Sequence, residues 1–90
     1  MLSNQEKRAL KAKAHSLHPV VMTGAKGLTE SVIEEIDVNL TAHELIKIKL
    51  VADDKPHRLS MIEEILQKTG AELIQTIGHT ATIYRQKPED

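Results

Sequence analysis

Pro19-Val20-Val21-Met22-Thr23-Gly24-Ala25-Lys26-Gly27-Leu28-Thr29-Glu30 is the stretch from which the rest of this 90-residue chain is read. Val20 to Met22 is a short apolar run of strand character, and a helical pattern begins at Thr29. Gly24 and Gly27 bracket the turn between them. Glycine allows positive φ and, having no Cβ, lets another backbone come close. The following helix directs unpaired N–H groups and the positive end of its dipole at the same turn. An anion, above all a phosphate backbone, is therefore suited to a place beside Lys26. Glycines also pair in strand-to-helix turns for steric reasons alone, so the GxxG pattern by itself leaves both readings open.

Upstream of the turn, Ser3-Asn4-Gln5-Glu6 has the form of a capping box, and Pro19 sets the limit of the helix that it opens. Leu10, Ala14 and Leu17 follow the spacing of a buried stripe. Lys7, Lys11, His15 and His18 recur on one adjoining face, with Arg8 at its margin and Lys13 elsewhere. Downstream, Thr29 is the expected N-cap of a second helix, with Leu28 and Ile33 placed as a hydrophobic staple. Val32, Ile33, Ile36 and Leu40 give its apolar face and leave Glu34, Glu35 and Asp37 outward.

From Glu44 to Val51 the period changes to two. Ile46, Ile48 and Leu50 fall on one side and Lys47 and Lys49 on the other, as in a strand with one buried face. A polar loop, Asp53 to Pro56, leads into a third helix with Leu59, Ile62, Ile65 and Leu66 inward. That helix starts either with Pro56 in its first turn or at a second capping box, Ser60 with Glu63, and stops at Gly70. Strands over Glu72 to Ile77 and Thr80 to Arg85 flank a two-residue turn, Gly78-His79. The expected order is an N-terminal helix followed by βαβαββ, an α/β fold. Strand–helix–strand units predict parallel neighbours and the last pair an antiparallel one. The outcome is a small four-stranded mixed sheet with the second and third helices on one face. Residues 1–87 form the expected single domain, and 88–90 a C-terminal tail.

Composition narrows the function. The length suits one domain with a modest core. There is no cysteine, which removes disulfides and thiolate chemistry and fits a reducing compartment. No apolar run approaches a membrane span, and the polar N-terminus lacks the apolar core of a signal peptide. A soluble cytoplasmic protein is expected. The net charge of −1 argues against a non-specific nucleic-acid binder, but the charge is unevenly spread. Up to Gly27 the chain carries Lys7, Arg8, Lys11, Lys13 and Lys26 against Glu6 alone, which is the sign of a localised basic footprint. Tyr84 is the only aromatic residue, so a sheet that stacks bases on several aromatic rings is excluded.

Catalytic and metal chemistry find little purchase. His15 and His18 have a spacing that two zinc ligands use, but no cysteine or carboxylate in register completes a set, and no metal or cofactor is expected. Glu34 with Glu35, and Glu63 with Glu64, are adjacent helix positions that point in different directions. Lys47 and Lys49 fit either an RNA surface or the wet side of a half-buried strand.

Several spaced runs then point the same way: Ala14-His15-Ser16-Leu17-His18-Pro19-Val20-Val21, Gly24-Ala25-Lys26-Gly27-Leu28-Thr29-Glu30, Ala42-His43-Glu44-Leu45-Ile46-Lys47, Thr69-Gly70-Ala71-Glu72-Leu73, Ile77-Gly78 and Tyr84-Arg85. Together they closely resemble the CRM domain (chloroplast RNA splicing and ribosome maturation), in its bacterial stand-alone YhbY-like form. The resemblance implies a fold similar to the C-terminal domain of translation initiation factor three and a role with precursors of the large ribosomal subunit. It implies that the GxxG loop lies on a basic surface, as a related loop does in KH domains. Mapped here, Gly24 and Gly27 shape the loop, Ala25 and Lys26 form its tip with Lys26 on phosphate, and Lys7, Arg8, Lys11 and His15 extend the surface. The sequence departs from the family pattern at Ala25, where a lysine is usual, and at His18 and His79, where basic residues are common. RNA affinity is then expected to be lower or more pH-dependent than in relatives.

Two function classes follow. The first is a non-enzymatic, monomeric RNA-binding factor for ribosome assembly, with large-subunit ribosomal RNA as partner. The second is a small enzyme that uses the glycine turn as a phosphate or nucleotide cradle, although the longer glycine-rich loop ending in Lys-Ser or Lys-Thr is missing. A protein adaptor is a third.

Overall fold

Residues 2–87 are described by a computed structural model. Ser3 opens α1 (Asn4–Ala14) through a full capping box: its hydroxyl accepts from the Glu6 N–H and the Glu6 carboxylate accepts from the Ser3 N–H, both at 3.1 Å. The Ser3 backbone N–H, and after it the hydroxyl, hold the Glu6 carboxyl below its ordinary pKa. After β1 (Pro19–Met22), Thr29 caps α2 (Glu30–His43) by accepting from the Val32 N–H at 3.2 Å. Then come β2 (Leu45–Lys49), α3 (Lys55–Thr69), β3 (Glu72–Ile77) and β4 (Thr80–Tyr84). The earlier of the two possible starts of α3 is the one that forms, with the Asp54 carboxylate accepting from the His57 N–H at 2.9 Å and Pro56 in the first turn. Gly70 ends that helix at φ +73, a left-handed C-cap that glycine adopts without strain.

The strands form one four-stranded mixed sheet in the order β1-β2-β4-β3, with β1 and β2 parallel and the other pairs antiparallel. The expectation that each strand–helix–strand unit yields parallel neighbours is corrected at the second unit. There β4 lies between β2 and β3. The reason is burial: Ala81, Thr82 and Ile83 of β4 are all buried, whereas β3 has only Ile74 buried and carries Glu72, Gln75 and Thr76. The arm of the hairpin that carries no charged side chain takes the interior slot.

The α2 and α3 helices cover one face, as expected. Ile36 and Leu40 of α2 and Met61, Ile62 and Ile65 of α3 enclose Val21, Ile46, Ile48, Ala81 and Ile83. Leu59 does not join them. It is 47% exposed, and Met61 takes the inward place, because the buried stripe of α3 runs through 61, 62, 65 and 69. On the other face Leu10 and Ala14 of α1, with Leu17 beyond its end, pack against Leu45, Ile74 and Tyr84.

Three strand bounds also move inward, the first of them at the end of β2, which stops at Lys49 rather than Val51. Glu44 is the C-cap of α2 rather than the first residue of β2, at φ +65, which is strained for a residue with a Cβ. It is held there by hydrogen bonds: its N–H donates to the Leu40 carbonyl, its carbonyl accepts from the Arg85 N–H, and its carboxylate accepts from the Lys87 N–H. Arg85 therefore leaves the ladder after Tyr84. Residues 88–90, read as a tail, lie outside the described residues.

Candidate nucleic-acid interface

The glycine turn stands at the C-terminal ends of the parallel pair β1 and β2. It is closed on itself: the Gly27 N–H donates to the Gly24 carbonyl at 3.0 Å, with Ala25 and Lys26 exposed at the tip. Gly27 has φ +72 and needs glycine for that reason. Gly24 does not, since a Cβ added there would meet nothing within 4 Å. Two N–H groups expected to face an anion are already engaged, Gly27 in the turn and Val32 at the Thr29 cap. The loop is thus a poor closed cradle for a free phosphate. It is better suited to presenting the Lys26 ammonium and a backbone open to close approach.

Thr23 fixes the base of this loop and was not singled out in the sequence. Its N–H donates to the Lys49 carbonyl at 3.0 Å and its hydroxyl accepts from the Val51 N–H at 2.8 Å, with the side chain 1% exposed. The single signal available was a polar β-branched residue between a strand and a glycine. Replacing it by valine keeps the shape and strands the Val51 N–H, so Thr23→Val is expected to lower stability by about 1 to 2 kcal/mol. Thr23→Ser is expected to restore most of this. Urea unfolding of both variants checks the contrast, and equal stabilities would count against the role of the hydroxyl.

The placement of α1 decides which of its faces meets the rest of the surface. Glu6 borders a cavity of about 180 Å³ with Tyr84 and Arg85, and Lys13 borders one of about 390 Å³ with His43 and Leu45. Both therefore lie toward the beginning of β2. Partial burial raises the Tyr84 pKa, and the carboxylates of Glu44 and Glu6 add to this, which agrees with that placement. At about 100° per residue, Lys7, Lys11 and His15 lie across the buried stripe from Glu6 and Lys13. They face along the strands toward Lys47 and Lys49. Arg8 stands at the margin, exposed, and Lys7 is half-buried.

His18 is not on this face. The helix ends at Ala14 with His15 as C-cap, so the helical spacing that would align His18 no longer applies. It lines the larger cavity with Lys13, Leu17, Val20 and His43 instead. His79 is also drawn into structure: its carbonyl accepts from the Leu50 N–H at 2.7 Å and its Nδ1 lies 3.0 Å from an Arg58 guanidinium nitrogen. Because guanidinium only donates, the His79 Nδ1 is the acceptor.

Lys47 and Lys49 point away from the α2–α3 face, since their neighbours Ile46 and Ile48 are in the core. None of Lys7, Arg8, Lys11, Lys26, Lys47 and Lys49 forms an ion pair with a carboxylate of the described residues. The opposite side differs. The α2 helix carries Glu30, Glu34, Glu35 and Asp37 and no lysine or arginine. Charge is therefore divided by the sheet, basic on the α1 side and acidic along α2 on the other, where α3 mixes Lys55, Arg58 and Lys68 with Glu63 and Glu64.

The site is thus a small α/β domain with one basic side and a glycine loop at its rim. The CRS1/YhbY (CRM) domain profile matches residues 2–85. The chain is 46% identical over 88 residues to a Haemophilus influenzae RNA-binding protein, covering 98% of this chain and 89% of that one. It is 32% identical over 90 residues to the Bacillus subtilis protein named probable RNA-binding protein YqeI, covering 100% and 94%. The solution structure of a hypothetical protein from Staphylococcus aureus superposes with a TM-score of 0.84 at 33% identity, over 100% of this chain and 94% of that chain. This chain belongs to the CRS1/YhbY (CRM) domain family.

Proposed function

We propose that this protein is a non-enzymatic RNA-binding factor of the cytoplasm that acts as a monomer on precursors of the large ribosomal subunit. It holds the RNA backbone with the Gly24–Gly27 loop, with Lys7, Arg8, Lys11 and His15 of α1, and with Lys47 and Lys49 of β2. His18, on the neighbouring loop, lies outside the continuous part of that surface. The observation that carries the reading is the division of charge across the sheet. A net charge of −1 hides a side whose cations are unpaired among the described residues, and phosphate contacts supply most of the affinity of such a surface. The names of the relatives support RNA as the partner.

The test is the distribution of the protein across a sucrose gradient of cell lysate, with Lys26→Ala and Gly24→Asp as variants. Gly24 has open space around its Cβ position and no positive φ, so a side chain there leaves the fold intact while blocking close approach. Wild type is expected with large-subunit precursors and both variants nearer the top. A wild-type protein that stays among free proteins at low salt would overturn the assembly role and turn attention to small phosphorylated ligands.

A further inference from the structure

The sheet register gathers an uncommon row of side chains on the face that α1 leaves uncovered. Met22 pairs with Lys49, Lys49 with Thr80, and Thr80 with Ile77. All four point away from the α2–α3 core, because Val21, Ile48, Ala81 and Thr76 alternate with them and the first three of these are buried in that core. The row crosses the whole sheet, about 14 Å at the usual strand spacing. Its ends, Ile77 at 63% and Met22 at 62%, are the most exposed large apolar side chains among the described residues. The next row includes Lys47 opposite Thr82. A cavity of about 160 Å³ lies between the two rows, lined by Pro19, Lys47, Ile77, Thr80 and Thr82.

We infer that this open half of the sheet is a seat for an unpaired stretch of RNA, with Met22 and Ile77 lying against base or ribose faces while Lys49 and Lys47 take the phosphates between them. The inference rests on the RNA-binding reading above and adds to it the kind of RNA bound. A duplex presents its ionic backbone outward, and two exposed aliphatic groups set against it would take water from phosphates without offering a hydrogen bond in return. An unpaired strand turns out uncharged base faces between its phosphates. The row sets Lys49 and Thr80 between two apolar ends, with Lys47 in the row beside it, and this arrangement matches uncharged faces separated by phosphates. With no aromatic ring on the face, the contacts are dispersion contacts, to which the polarisable Met22 thioether is suited. The cavity is too small for a whole nucleotide-sized ligand. It fits the edge of one ring, with the Thr80 hydroxyl there to donate or accept.

The experiment is an anisotropy titration of the full chain with a labelled unpaired oligoribonucleotide and with the same strand in a duplex, over a range of potassium chloride. The variants are Met22→Ser with Ile77→Ser, and Lys47→Ala with Lys49→Ala. Both apolar positions are exposed, and thermal unfolding confirms that each variant is folded before binding is compared. Wild type is expected to prefer the unpaired strand. The serine pair should weaken unpaired binding about tenfold without changing the salt slope or the duplex affinity. The alanine pair should reduce the slope by about 1.4. If the serine pair binds unpaired RNA as wild type does while the alanine pair still loses slope, this seat is wrong and the RNA-binding reading stands. If the serine pair weakens unpaired and duplex binding equally, or instead abolishes self-association and leaves RNA binding untouched, the seat is likewise overturned. A wild type that binds neither RNA takes both readings down together.

Discussion

Alanine in place of Arg85 is expected to cost about 2 to 3 kcal/mol of stability. Its guanidinium donates to the Thr69 carbonyl at 2.8 Å, the Asp37 carbonyl at 3.1 Å and the Thr41 hydroxyl at 2.9 Å, and it meets the Asp37 carboxylate as well. One side chain thus ties the end of β4 to the middle of α2 and to the C-terminus of α3. The ion pair alone carries little of this, since the Asp37 side chain is 53% exposed. The larger share comes from acceptors that would lose a charged donor, the Thr69 carbonyl among them. For a domain of this size the loss corresponds to a fall in Tm of about 10 to 20 °C. Arg85→Lys should recover only a fraction, because an ammonium cannot span that set of acceptors. Urea and thermal unfolding measure both, and a loss below about 0.5 kcal/mol, typical of an ordinary surface site, would show that the network contributes nothing beyond it. RNA affinity below the transition should be unchanged, as Arg85 lies on the α2–α3 side.

The largest effect on binding is expected from α1. Changing Lys7, Arg8 and Lys11 together to alanine removes three cations of the basic side. Each phosphate contact with a single strand changes affinity by about fivefold at 0.1 M salt, so three should weaken binding about 100-fold and lower the salt slope by about 2. Alanine is the best helix former, and the three positions are exposed or half-buried, so α1 should persist. Titrations at several salt concentrations, with circular dichroism as a check on folding, test this. An unchanged slope would remove α1 from the interface even if affinity fell.

What was legible in the sequence was local. The Ser3–Glu6 capping box, the Thr29 cap, the Gly70 stop and the two-residue turn at Gly78-His79 each depend on neighbours a few residues apart, and each forms as read. The inward face of α2 and the alternation in β2 follow from periodicity in the same way. What was not legible depended on partners far along the chain. Thr23 matters because Val51 is beside it, and Arg85 because Asp37, Thr41 and Thr69 converge on it. The place of β4 between β2 and β3 is a competition between two arms of a hairpin for one slot. Periodicity also misassigned Leu59 and His18. In α3 Met61 gives the stripe a second possible centre, and at His18 the helix had already ended at Ala14. The site cations were visible as residue types, but their grouping on one side was set by which flank of α1 lies over the beginning of β2.

The division of charge by the sheet has a consequence for how such a molecule meets a polyanion. With a net charge near zero, long-range attraction is weak, but the field of the RNA pulls one side and pushes the other. The protein is turned before it is captured, so encounters are oriented from the start. Once seated through its α1 side, it shows the acidic α2 outward. The complex then keeps a negative exterior, and a second copy, arriving with its own cations forward, finds carboxylates that it can touch but no row of phosphates to grip. On the RNA-binding reading proposed above, a second layer of protein on top of the first is then disfavoured.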